Sequence, residues 1–197
     1  MTDRRDEILQ RHSPMVLVPR HGTFEPLATN GHRYLAASNG LWLEVRRPWL
    51  YLRQLIADSF IDLPYGDIDT ALRFEWDRLE LDTLINRFRA DAALAMPAEC
   101  AGWGVWDADT QRLEYLPIDP TDATPGSVTF ERPRLLGHQH FAVDLHSHGR
   151  TPAYFSTTDN TDDDGEVKLA IVVGELDARE PSIAVRICAH GLFLGVA

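Results

Sequence analysis

The sequence predicts an α/β chain of the α+β kind, with a small β-rich N-terminal module over residues 1–66 and a larger domain over 67–197. Three observations predict it. Short β-prone runs punctuated by Asn-Gly pairs fill the first third, a helical apolar stripe follows a Pro- and Gly-containing break, and further β-prone runs occupy the remainder. With 197 residues and 44% hydrophobic content, the chain can bury one core plus that of a small companion module.

In the first module the expected strands are Met15–Val18, Arg33–Ala37 and Leu41–Val45, with Asn30-Gly31 and Asn39-Gly40 as turn signals. The segment Leu63-Pro64-Tyr65-Gly66-Asp67 reads as a boundary. Beyond it, between about Thr70 and Ala95, the residues Leu81, Leu84, Ile85, Phe88, Ala92 and Ala95 recur at three- and four-residue steps, the mark of a helix packed on one side. Met96-Pro97 ends that helix. Strands are expected at Cys100–Trp106 and Arg112–Ile118, then a loop from Asp119 to Ser127, then a strand at Phe141–Leu145. Val167–Val173, Ile183–Cys188 and a short Leu192–Val196 close the series. Trp103 and Trp106, three apart on one strand, should face opposite sides, with at least one in the core.

Composition excludes several functions. A formal charge of -11 does not suit direct nucleic-acid binding, which rests on clustered Lys and Arg. No apolar run approaches a membrane span, and the charged segment Met1–Glu7 is unlike a signal peptide, so a cytoplasmic protein is expected. Cys100 and Cys188 form no C-x-x-C pair, which removes a cysteine zinc knuckle and fits a reducing compartment.

The informative stretch is Asp144-Leu145-His146-Ser147-His148-Gly149, followed by Ser156-Thr157-Thr158-Asp159. Residues two apart on a strand share a face, so His146 and His148 can offer imidazoles to one ion. Asp159, in the first turn of a helix that Ser156 begins, can add an oxygen and leave a fourth tetrahedral position to water, as a catalytic zinc requires. Ser147 should point to the other face. A lone H-x-H pair is more often an ordinary surface or core feature; it is the full spacing that changes the weight.

That spacing, His-x-His, seven residues, Ser, two residues, Asp, resembles the JAMM motif of the MPN, or JAB, domain family (Mov34/PAD-1). The segment Met96-Pro97-Ala98-Glu99-Cys100-Ala101-Gly102 resembles the family's upstream glutamate element. The resemblance spans roughly Thr70 to Ala197 and implies a cytidine-deaminase-like mixed sheet flanked by helices. It implies zinc held by His146, His148 and Asp159, with Glu99 as general base, Glu114 and Glu131 being fallbacks. Ser156 is implied as an oxyanion donor, with a helix N-cap as its alternative role. The implied reaction is hydrolysis of a peptide or isopeptide bond, often beside the C-terminus of a ubiquitin-like protein. More narrowly, the N-terminal extension and the Pro-Ala-Glu-Cys-Ala-Gly element resemble the JAB component of bacterial PRTRC cassettes, the protein A family. A ubiquitin-like protein and a ThiF-like activating enzyme are then the implied partners, and a homodimer is possible. Many family members carry proline after the second histidine, where Gly149 stands here; this puts loop placement in question more than ligation.

Two other readings stand beside it. Val143–His148 also resembles the first motif of PHP phosphoesterases, but the 49 residues after His148 hold only one further histidine, His190. A non-catalytic MPN scaffold is the other; such scaffolds usually lack the ligands retained here. His138 and His140 repeat the H-x-H spacing with no matching carboxylate downstream, and the acidic run Asp162–Asp164 is expected to be a solvated loop.

Overall fold

The computed structural model describes residues Asp3–Val196, which form two compact units divided between Glu75 and Trp76. The first begins with helix α1 (Arg4–His12), capped by Asp3, which buries no residue. A five-stranded sheet follows in the spatial order of the chain, β1 (Met15–Leu17), β2 (Gly31–Ala37), β3 (Gly40–Arg47), β4 (Leu50–Asp58) and β5 (Ala71–Phe74). Val18, Leu35, Ala37, Trp42 and Ile68 form one core cluster on it. Glu44 is fully buried in the middle of β3. It accepts hydrogen bonds from Arg33 Nε at 2.5 Å, the Tyr51 hydroxyl at 2.6 Å and the Leu27 amide at 3.0 Å, which is how a buried carboxylate is made tolerable. β5 pairs with β4, so the first unit runs on to Glu75 and not to the expected boundary at residue 66. The helix expected from about Thr70 accordingly starts later.

In the second unit α2 spans Arg78–Ala95. Its start is fixed by a capping box, in which Asp77 accepts the Glu80 amide and Glu80 accepts the Asp77 amide. The expected stripe is present, with Leu84, Phe88 and Ala92 as its buried line and Ala95 left exposed. The strands are β6 (Ala101–Asp107), β7 (Arg112–Pro117), the small hairpin β8 (Asp122–Thr124) and β9 (Ser127–Thr129), β10 (Gln139–Ser147), β11 (Val167–Gly174), β12 (Ser182–Ala189) and β13 (Leu192–Gly195). Helix α3 covers Thr157–Asp163.

The main sheet runs β13-β12-β11-β10-β6-β7 and is mixed, because β10 and β11 are parallel while their other neighbours are antiparallel. This is the expected α/β arrangement, a mixed sheet with a helix on it, preceded by an N-terminal β module. β6 is buried along its whole length. On one face α2 comes so close that a Cβ on Gly104 would lie 2.7 Å from Leu84 Cδ1 and from Val143 Cβ, so only glycine fits there. The other face carries Ala101, Trp103 and Val105 under Ile118, Val128, Phe130 and Leu135. Both tryptophans of β6 are therefore core, at 4% and 3% exposure. Among the described residues no helix is long and apolar enough to cross a membrane.

Candidate metal centre

Two parallel strands need a crossover between them, and residues 148–166 supply it at the C-terminal end of β10. The same end lies beside the start of antiparallel β6, where His146 pairs with Ala101. Ser147 extends that pairing, its amide donating to Cys100 O at 3.0 Å and its fully buried hydroxyl accepting the Cys100 amide at 2.9 Å. Ser147 thus points away from the histidine face, as alternation requires, and ties the strand entrance that holds Glu99 to the strand that holds the histidines.

His146, His148 and Asp159 each place a ligand atom within 4.8 Å of the others. Asp159 is aimed by its helix start. Ser156 is the N-cap of α3, its oxygen accepting the Asp159 amide at 3.2 Å, while Asp159 Oδ2 accepts the Ser156 amide at 2.6 Å. With Oδ2 so engaged, Oδ1 faces His146 Nε2 at 3.4 Å. His148 is 7% exposed, with Nδ1 3.3 Å from Pro152 O. That contact suits an Nδ1–H tautomer and leaves Nε2 with a free lone pair, the usual way a metal-binding imidazole is oriented.

The residues fit a divalent ion on two grounds. His146 Nε2 is buried without a hydrogen-bond partner. Burial lowers the His146 pKa in spite of Asp159, so its contact with Oδ1 is not a charged pair but an unmatched nitrogen facing an unmatched carboxylate oxygen. A cation between them satisfies both. Two imidazoles and a carboxylate brought together in this way are a donor set that a divalent ion such as zinc accepts.

Glu99, anchored by its amide to Thr124 O at 2.8 Å, is half-buried. Desolvation first, and the charge of Asp159 second, push its carboxyl up to about 7. Glu114 on β7 and Glu131 on the segment after β9 are both exposed, so neither has the half-buried position of Glu99. The Glu99 shift predicts a pH effect on the metal-free protein. A carboxyl raised on folding lends stability that is complete below about 4.5 and is lost as the pH rises through about 7. Glu99→Gln should therefore melt at a higher temperature than wild type at about pH 8, and at nearly the same temperature at about pH 4.5, in chelator-treated samples. Equal melting points at both pH values would refute the burial assigned to this side chain.

Gly149 follows His148 with φ 55°, and its carbonyl accepts the Leu176 amide at 2.9 Å. Proline is locked near φ -65°, so the residue usual in the wider family cannot be accommodated in this turn. Gly149→Pro should destabilise the protein by about 1–3 kcal/mol, measured by denaturant unfolding, although it restores the common motif.

One reading of the acidic run is overturned. Asp163 is 4% exposed, not solvated, and ion-paired with Lys168 and Arg186. The sequence signal for it was a lone Lys and a lone Arg inside otherwise apolar β11 and β12, since such residues are seldom buried unpaired. Tyr154, more than half exposed, sits edge-on to the His148 ring at 4.6 Å and was also not singled out.

Residues 3–75 match the model described as a domain of unknown function, DUF2016. No curated protein matches the chain. Among solved structures it is similar to the solution structure of protein DSY2949 from Desulfitobacterium hafniense, at 14% identity and TM-score 0.45, over 58% of this chain and 86% of that one. That likeness is too slight to bear on chemistry. Residues 82–188, over half of the chain, match the model described as prokaryotic homologs of the JAB domain, and the protein belongs to that family.

Proposed function

We propose that the second unit is a zinc-dependent hydrolase of the JAMM type that cleaves a peptide or isopeptide bond. The observation that carries this is the convergence of His146, His148 and Asp159 within 4.8 Å around a buried, unpartnered imidazole nitrogen. Zinc bound by these three groups would acidify a water and polarise the scissile carbonyl. Glu99 takes a proton from the attacking water at its carboxylate and delivers it to the departing amine, a task for which a pKa near 7 is suited. The Ser156 oxygen already accepts the Asp159 amide, so its hydroxyl hydrogen stays free to donate to the developing oxyanion. The N-cap and oxyanion roles are thus compatible in one residue.

The substrate we propose is the C-terminal region of a ubiquitin-like protein of a PRTRC cassette, with a ThiF-like activating enzyme as the companion. The resemblance of the Glu99 element and the N-terminal extension to protein A of those cassettes supports this narrower assignment. Wild-type protein should carry one zinc per chain by atomic absorption, and His146→Ala should carry almost none. Incubation with the ubiquitin-like protein, extended at its C-terminus, should give a chelator-sensitive cut by mass spectrometry. Wild-type protein without zinc at micromolar metal would leave the non-catalytic MPN scaffold as the better reading.

A further inference from the structure

We infer that Arg186 and Lys168 are positioning residues of the metal centre, clamping α3 to strands β10–β12 and so fixing Asp159 relative to His146. The inference rests on the metal-site reading above.

Helix α3 has seven residues, too few to be stable alone, and its only buried residue is Asp163. What holds it on the sheet is therefore that carboxylate rather than an apolar face. Asp163 lies one turn beyond Asp159. Its Oδ1 is 2.7 Å from Lys168 Nζ, and its Oδ2 accepts from Arg186 Nε at 3.1 Å and from Arg186 Nη2. Arg186 Nη1 donates to Asn160 Oδ1 at 2.5 Å, on the residue next to Asp159. The guanidinium is itself held against the rings of Phe155 and Phe193, 3.9 and 4.1 Å from their centroids, and Phe155 directly precedes the N-cap Ser156.

Lys168 makes the link to the histidine strand. Its Nζ donates to Asp144 Oδ2 at 2.6 Å, and Asp144 is two residues before His146 on the same face of β10. Glu166 Oε2 stands 3.0 Å away, in ion-pair contact rather than hydrogen-bonding geometry. A continuous chain of polar contacts thus runs from β10 through Asp144, Lys168 and Asp163 to the helix that presents Asp159. Apolar packing would keep α3 on the sheet but would leave its height and rotation loosely set. A planar guanidinium bonded to two successive positions of one helix face sets both.

The test uses zinc affinity by chelator competition on the full-length, folded protein, with thermal stability recorded alongside. Arg186→Lys keeps the charge and loses the fork; Asn160→Ala removes a single contact with little risk to folding. Both should weaken zinc binding, Arg186→Lys by about tenfold or more, as loss of an orienting partner does elsewhere. Leu84→Ala, in the core under α2 and remote from α3, should lower stability and leave the affinity within about threefold. Unchanged affinity in both clamp variants, or affinity that falls in step with stability across all three, would overturn the clamp while leaving the metal site intact. Absence of zinc on wild-type protein would instead remove the metal-site reading itself, and the clamp's purpose with it.

Discussion

Glu99→Gln should lower kcat by about 10²–10⁴-fold and leave both zinc content and KM close to wild type. The substitution is nearly isosteric and takes away the group that, in the proposed mechanism, holds a proton between the attacking water and the departing amine. It touches none of the proposed ligands, His146, His148 and Asp159. The half-buried carboxyl near 7 can both accept and return a proton around neutral pH, which an ordinary exposed glutamate does poorly. A dication alongside would draw that value down, so the rising limb of kcat/KM in the loaded enzyme should lie below about 7 and vanish in the variant. Turnover kept in Glu99→Gln, with the limb unmoved, would assign the proton transfer to another carboxylate.

The clustering of His146, His148 and Asp159 is legible in the sequence because its geometry is local. His146 and His148 share a face through the two-residue period of a strand, and Ser156 with Asp159 forms a capping box whose spacing is a helix-start signal in any protein. Glu99 stands between a helix and a strand, and antiparallel pairing of β6 with β10 brings that end of β6 to the strand of the histidines. What depends on partners was not legible. The three acidic residues Asp162–Asp164 look alike in sequence, and only Asp163 meets Lys168 and Arg186 from strands later in the chain. β5 is four residues long and is defined by its pairing with β4, so in sequence its residues merge with the following helix and the Pro- and Gly-containing segment ending near residue 66 looks like the domain limit. α1 buries nothing and so has no apolar stripe to show, and the β8–β9 hairpin is too short to display alternation.

The pairing that sequence hides is also where the largest loss of stability is expected. Lys168→Met should cost the second unit about 3–5 kcal/mol, because it removes the ammonium and leaves Asp144 short of a counter-charge, Glu166 with Arg132 alone and Asp163 with Arg186 alone. Burial by itself would raise the Asp163 carboxyl, but hydrogen bonds from Lys168 and Arg186 carry it below its ordinary value; burial would raise Glu166 too, but the hydrogen bond from Arg132 and the nearby charge of Lys168 hold it down. Carboxylates depressed on folding lend stability that is present above their unfolded pKa and is lost as the pH falls through the folded one. The gap between wild type and variant should therefore be widest near neutral pH and shrink in acid, where protonation relieves the stranded charges in Lys168→Met. With tryptophans in both units, fluorescence mixes their transitions, so hydrogen exchange at the amides of β10, β11 and β12 is the measurement to use. A loss under about 1 kcal/mol would put the cluster in the range of exposed ion pairs, which 2% exposure of Lys168 does not permit unless water enters beneath α3.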